Sequence, residues 1–190
     1  MIDQELLRKT FDTAPGYEEY IHTGTPDQHA AWSAFRSGAD LTGRQAELVG
    51  SFSRQLHVVA LTGIWCGDCV QQLPFVDAIE QAANGLFPVR YADRDEHSEL
   101  ADRLMIAGGR RVPIVLILNE DFDVLTVEGD RSLSRYRAMA ERQLGPSCPL
   151  PGAPVPDDEQ ADTRQDWVDA AERAHLIARL STKLRQRHSD

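Results

Sequence analysis

The chain has 190 residues, 42% hydrophobic and 26% charged, enough apolar material for one sizeable domain with appendages. Twenty Lys and Arg against 30 Asp and Glu leave a formal net charge of -10, which argues against a general nucleic-acid binder and against adhesion to an anionic membrane surface. No apolar run reaches the roughly 20 residues of a membrane span, the first residues show no charged-then-apolar leader pattern, and three cysteines are too few and too odd in number for a disulfide-stapled secreted fold, so the expected compartment is the cytoplasm.

Residues 1–55 read as a helical N-terminal extension. Pro15-Gly16 and Gly24-Thr25-Pro26 punctuate it as turns. Trp32 and Phe35 anchor a short helix, and Leu41, Leu48, Val49, Phe52 and Leu56 fall on one stripe of the next. Thr42 and Gln45 have capping-box spacing at the start of that helix.

Residues 56–145 alternate strand and helix, which predicts an α/β sandwich around a central sheet. His57–Thr62 is a β-type run, followed by a helix predicted over 67–83 and stopped by Asn84-Gly85. Phe87–Tyr91 is the second predicted strand. Ser98–Ile106 reads as a helix with Leu100, Leu104 and Met105 on its apolar side. Ile114–Leu118 is almost wholly apolar, as in a strand covered on both faces. Asp123–Val127 is a short strand suited to a hairpin with it, and Leu133–Leu144 is the last helix of the region. Five prolines between Gly145 and Pro156 mark a linker at 146–156. In 157–190, Trp167, Ala170, Ala171, Ala174, Ile177, Leu180 and Leu184 recur at helical spacing and predict an amphipathic helix. That helix docks on its own domain or offers a surface for a homodimer.

The chemistry is concentrated in Trp65-Cys66-Gly67-Asp68-Cys69, where the first strand hands over to a helix. Unpaired N–H groups at a helix start favour a thiolate at Cys66, and the thiolate is the nucleophile. Cys69, one turn further in, lies within reach of the Cys66 sulfur. Cys66 attacks a substrate disulfide, and Cys69 then attacks Cys66 and releases the reduced substrate. Trp65 offers a flat apolar platform beside the pair. Pro74 should kink the helix. Val112-Pro113 precedes the apolar strand, where a cis bond would turn the Val112 backbone toward the cysteines.

A Cys-x-x-Cys is half of a zinc site, but Cys148 and His97 show no paired ligand spacing. Cys148 reads as an unremarkable thiol, with a third redox role as the alternative. The acidic run Asp93, Asp95, Glu96, Glu99 and Asp102 reads as a solvated face rather than a calcium loop. Trp32 and Trp167 read as packing anchors, and His57 as structural.

Together these residues resemble the thioredoxin family, over about residues 56–145. The resemblance places Trp65, Cys66, Gly67, Asp68, Cys69, Pro74 and Pro113 in the family's active-site positions, and Gly129 at the glycine lining the substrate groove. The Gly-Asp dipeptide and the N-terminal helices are similar to a branch of bacterial thioredoxin-like proteins. The resemblance implies a thioredoxin-like three-layer sandwich whose Cys66/Cys69 dithiol exchanges electrons with protein disulfides, as a reductant, with no metal or organic cofactor. The implied partners are disulfide-containing proteins, met through the Trp65, Val112 and Pro113 groove, and an electron donor that is a reductase or a small thiol. The alternative is a non-catalytic adaptor whose terminal helices bind a partner. Two positions depart from the family pattern. Ala60 stands where a buried aspartate is usual, and Asp68 stands where a proline is usual. A carboxylate at 68 should disfavour thiolates and keep the pair reducing, with Arg110 and Arg111 expected to offset it.

Overall fold

The computed structural model describes residues 2–144 and 158–189. The linker expected at 146–156, with Cys148, lies outside them. Helices α1 (Gln4–Thr13), α2 (Tyr17–Ile21), α3 (Pro26–Arg36) and α4 (Gly43–Gly50) come first. α1, α3 and α4 start where the chain supplies a side-chain cap, and α2 starts after Gly16. Asp3 accepts from Glu5 N–H at α1, and the predicted Thr42/Gln45 capping box opens α4. A second capping box, Thr25 with Gln28, opens α3 with Pro26 in its first turn, where a missing N–H costs nothing.

Strands β1 (His57–Thr62), β2 (Val89–Asp93), β3 (Ile114–Leu118) and β4 (Val124–Gly129) form one mixed sheet in the order β2-β1-β3-β4. β1 pairs parallel with β2 and antiparallel with β3, and β3 pairs antiparallel with β4. Every residue of β3, and all of β1 after His57, is buried, so both faces of the sheet centre are covered. α1 packs on β1 and β2, α2 on β2, α6 (Leu73–Ala82) on β2, and α9 (Glu159–Leu180) on β3 and β4. This is the expected α/β fold.

The structure shifts several expected boundaries. β2 starts at Val89 rather than Phe87, because Pro88 has no N–H for the ladder. α7 (Ser98–Arg103) stops three residues early. Ala107 and Gly108, at φ 50 and 76, then turn the chain through a bridge between Ile106 and Gly109, leaving Met105 half exposed. The single helix expected over 67–83 is two, α5 (Gly67–Val70) and α6 (Leu73–Ala82). Pro74 cannot donate to the Val70 carbonyl, so the ladder breaks around Gln72 and Pro74 falls in the first turn of α6. α8 (Leu133–Leu144) runs as expected.

The C-terminal segment is α9 (Glu159–Leu180) followed by α10 (Thr182–His188). Thr163, Trp167, Val168, Ala171, Ala174, His175 and Ala178 form the buried line of α9, and Ile177 and Leu180 of the predicted stripe face solvent. The helix meets α8, α4, α6 and β4 at once, and that contact, not the longest apolar row, sets its orientation. No described helix is long and apolar enough to cross a membrane.

His175 is part of this docking. Its ring stacks on Phe52 at 4.4 Å, and its Nε2 accepts the Ser53 N–H at 3.0 Å. Burial first, then Arg179 and Arg54, push its pKa below the ordinary histidine value. A histidine held neutral by the fold stabilises it fully above its unfolded pKa, and that contribution is lost as pH falls below about 6.5. His175→Phe should keep the stacking, lose about 1 kcal/mol at neutral pH with the Ser53 acceptor, and fall off less steeply than wild type on acidification. Denaturant midpoints followed from neutral to mildly acidic pH measure this difference.

Candidate active site

β1 ends at Thr62, and four residues carry the chain to the first turn of α5, with Cys66 as its N-cap. Cys66 is 8% exposed and Cys69 is fully buried. The two approach to 3.4 Å, with both thiols free. The Val112-Pro113 bond is cis, and the Cys66 thiol donates to the Val112 carbonyl at 3.5 Å. The expected confrontation of this loop with the cysteines is therefore present.

The pair is electrostatically asymmetric. The Cys66 thiol is pushed down to about 6. A hydrogen bond from Cys69 contributes most, burial opposes it, and the N–H groups of Cys69 and Asp68 add to the lowering. Burial pushes the Cys69 thiol well up, as does its role as donor to Cys66. With α5 only four residues long, the expected dipole of a long helix gives way to these individual donors.

Trp65 is half exposed at 50%. Its ring lies so close over Gly63 that a Cβ there would sit 2.9 Å from it. The Arg94 guanidinium stacks on the ring at 4.6 Å and donates to the Arg110 carbonyl at 2.8 Å. Arg94 thereby ties Trp65 to the loop that leads into Pro113. A Cβ on Gly67 would meet nothing within 4 Å, so the turn is open on that side. Gly129 is packed against the cis-proline loop, where a Cβ would fall 2.6 Å from the Pro113 carbonyl oxygen. Its φ of 151 also suits only glycine.

Asp68 is not met by Arg110 or Arg111. Arg110 pairs with Asp102 at 2.5 Å, and Arg111 with Asp130 at 3.1 Å. Instead Arg131 reaches Asp68 at 2.5 Å and Arg135 at 3.0 Å. These arginines lie 63 and 67 residues from Asp68, at the start of α8, and carry no motif spacing that would mark them. Asp130 receives the Tyr136 hydroxyl, Arg111 and Arg131. Burial works to raise the Asp130 carboxyl, but these donors outweigh it and hold it below the ordinary carboxylate range. Gln72, fully buried, joins the two sides of the site. It donates to the Asp68 and Asp130 carbonyls and accepts from Ser132 N–H. Arg135 also pairs with Glu159 at 3.3 Å, so α9 is linked to the dipeptide between the cysteines. Nothing in the sequence singles out Gln72 except its place two residues before Pro74, where the helix ladder breaks.

Among the described residues, no group of three or more His, Cys, Asp and Glu converges as a metal ligand set. The arrangement offers a low-pKa thiolate, a buried second thiol and an open face bordered by Trp65 and the Val112 backbone. These can carry thiol-disulfide exchange. The close fit of Gly129 predicts that Gly129→Ala will displace the Pro113 loop and destabilise the fold by about 2 kcal/mol. Its denaturation midpoint and the reactivity of Cys66 toward an alkylating agent would both record the change.

A family model described as thioredoxin matches residues 14–141. The match takes in α2, α3 and α4 as well as the sheet. A search of curated proteins finds no match. Among solved structures, a Pseudomonas aeruginosa protein of unknown function is similar with 18% identity and a TM-score of 0.63, over 85% of this chain and 96% of that one. An HIV epitope-scaffold is similar with 17% identity and a TM-score of 0.59, over 91% and 93%. These likenesses concern the fold, and the family match spans about two thirds of the sequence. The chain belongs to the thioredoxin-like family.

Proposed function

We propose that this protein is a thiol-disulfide oxidoreductase that reduces protein disulfides through Cys66 and Cys69. The observation that supports this best is the split of the two thiols. Cys66 is lowered to about 6, so it is largely thiolate at neutral pH, while burial holds Cys69 protonated. A nucleophile needs the first state, and a resolving thiol held in reserve needs the second.

The substrate's extended chain lies along the Trp65 ring and pairs with the Val112 backbone as an added strand does. Cys66 attacks one sulfur of its disulfide and the other leaves as a thiolate. Cys69 then attacks Cys66, frees the second substrate sulfur and leaves the Cys66–Cys69 disulfide. The substrate gains two electrons and the cysteines lose two. A small thiol or a reductase restores the dithiol.

Insulin reduction with dithiothreitol as electron source tests this reading. Cys66→Ser should abolish turnover above background, and Cys69→Ser should accumulate mixed disulfides with substrate. Equal turnover by wild type and Cys66→Ser would leave the adaptor reading in its place.

The Asp68 contacts add two expectations. Asp68→Asn removes a carboxylate that raises the Cys66 thiol, so the thiolate is favoured and the reduction potential becomes less negative. Changing both arginines to Gln exposes the Asp68 charge instead. The Cys66 pKa should then rise from about 6 by about one unit. Thiolate absorbance against pH and equilibration with glutathione measure the two effects, which have opposite signs.

A further inference from the structure

We propose that Gln72 is a positioning residue for the dithiol, whose side-chain amide replaces a helix bond that α5 loses and fixes the peptide unit between Asp68 and Cys69. The proposal rests on the dithiol reading above and concerns how the two cysteines are held in their reactive arrangement. α5 is only four residues long and has few bonds of its own. The Val70 N–H returns to the Cys66 carbonyl and the Gln71 N–H to the Gly67 carbonyl, each at 3.1 Å. The next bond of an α-helix would run from the Gln72 N–H to the Asp68 carbonyl. Here that N–H goes to the Cys69 carbonyl instead, at 3.3 Å. The Asp68 carbonyl, in the dipeptide between the cysteines, therefore loses its helical donor.

The Gln72 side chain supplies the missing donor. Its Nε2 donates to the Asp68 carbonyl at 3.2 Å and to the Asp130 carbonyl at 3.1 Å, and its Oε1 accepts the Ser132 N–H at 2.9 Å. These partners fix the orientation of the amide, because the flipped form would set Oε1 against two carbonyls and Nε2 against an N–H. Gln72 is 0% exposed. A polar side chain buried so deeply is costly unless its bonds are made. An apolar one of the same length would fill the space but leave two carbonyls and an N–H without this partner. Packing alone gives no reason for an amide at this position.

The consequence for the thiols follows from the planarity of the peptide bond. The Asp68 carbonyl and the Cys69 N–H belong to one rigid unit, so holding the carbonyl also aims the N–H. Cys66 is the N-cap of α5, and Asp68 and Cys69 are the second and third residues of that helix. N–H groups at those places point back toward the N-cap side chain. The carbonyl end of the unit points the other way, to Gln72. The same amide grips Asp130 and Ser132, in the loop from which Arg131 reaches the Asp68 carboxylate. Backbone and side chain of Asp68 are thus held from one loop. The N–H groups of Asp68 and Cys69 help to lower the Cys66 thiol, and they do so fully only while the unit keeps its tilt. Gln72 acts through that unit rather than on the sulfurs.

The experiment follows thiolate absorbance against pH in the full chain, with denaturation midpoints to show that each variant is folded. Wild-type Cys66 should titrate at about 6. Gln72→Met keeps the length of the side chain and removes its bonds to Asp68, Asp130 and Ser132. Its Cys66 midpoint should rise by about one unit, and equilibration with glutathione should leave it severalfold more oxidised than wild type. Gln72→Asn keeps an amide but is one methylene too short to span both carbonyls, so its midpoint should rise in the same direction by less. A folded Gln72→Met variant that titrates like wild type would overturn the proposal. If Gln72→Met does not fold, an unchanged midpoint in Gln72→Asn overturns it. So would the failure of both to fold, since Gln72 would then serve folding alone. A wild-type Cys66 that titrates as an ordinary thiol would overturn the dithiol reading itself and this proposal with it, so the two failures are distinguishable.

Discussion

Cys69 lies beneath Cys66 at the buried end of β1, and its thiol donates to the Cys66 sulfur. That one contact divides a chemically symmetric pair. Burial and this donation push the donor's pKa up, and the same bond pulls the acceptor's down. It depends on β1 stopping at Thr62 and on α5 being only one turn long, because a different exit from the strand would bring the second cysteine to the surface. The Val112 carbonyl then closes one side of Cys66 and Trp65 borders the other.

The surroundings of Asp68 answer a problem that the dipeptide creates. A carboxylate beside two sulfurs opposes the thiolate. Arg131 and Arg135 meet it directly, and Asp130, Tyr136 and Gln72 hold the approach of α8 in place. Removing one member of such a partly buried charge set leaves the others unpaired, so Asp68 and its arginines are best understood as one unit. Glu159 extends the unit to α9, so the C-terminal helix is joined through Arg135 to Asp68.

Much of this was legible in the residues. β1, β3 and α8 are found with the expected bounds, because an apolar run of strand length or a sustained helical stripe leaves the backbone little choice. The break in the active-site helix and the late start of β2 escape local pattern for a common reason. Pro74 and Pro88 each remove one N–H, and the consequence depends on which carbonyl that N–H would have met. In the site, Trp65, Cys66, Cys69, Val112, Pro113 and Gly129 come together as expected. Arg94, Arg131, Arg135 and Gln72 were not foreseen, and Arg110 and Arg111 were given a role that they do not fill. Charged side chains on a surface choose partners by proximity in space, and no local pattern encodes that choice.

The sequence by itself determined the central strands, the capping of the N-terminal helices and the presence of a redox-capable Cys-x-x-Cys next to a proline loop. These follow from local periodicity, from missing or supplied N–H groups, and from the chemistry of two close thiols. Only the tertiary structure decided which cysteine is sealed, which arginines answer Asp68 and which face of α9 is buried. Those outcomes are set by burial and by contacts between residues dozens of positions apart, and such contacts exist only once the sheet and helices have closed around one another.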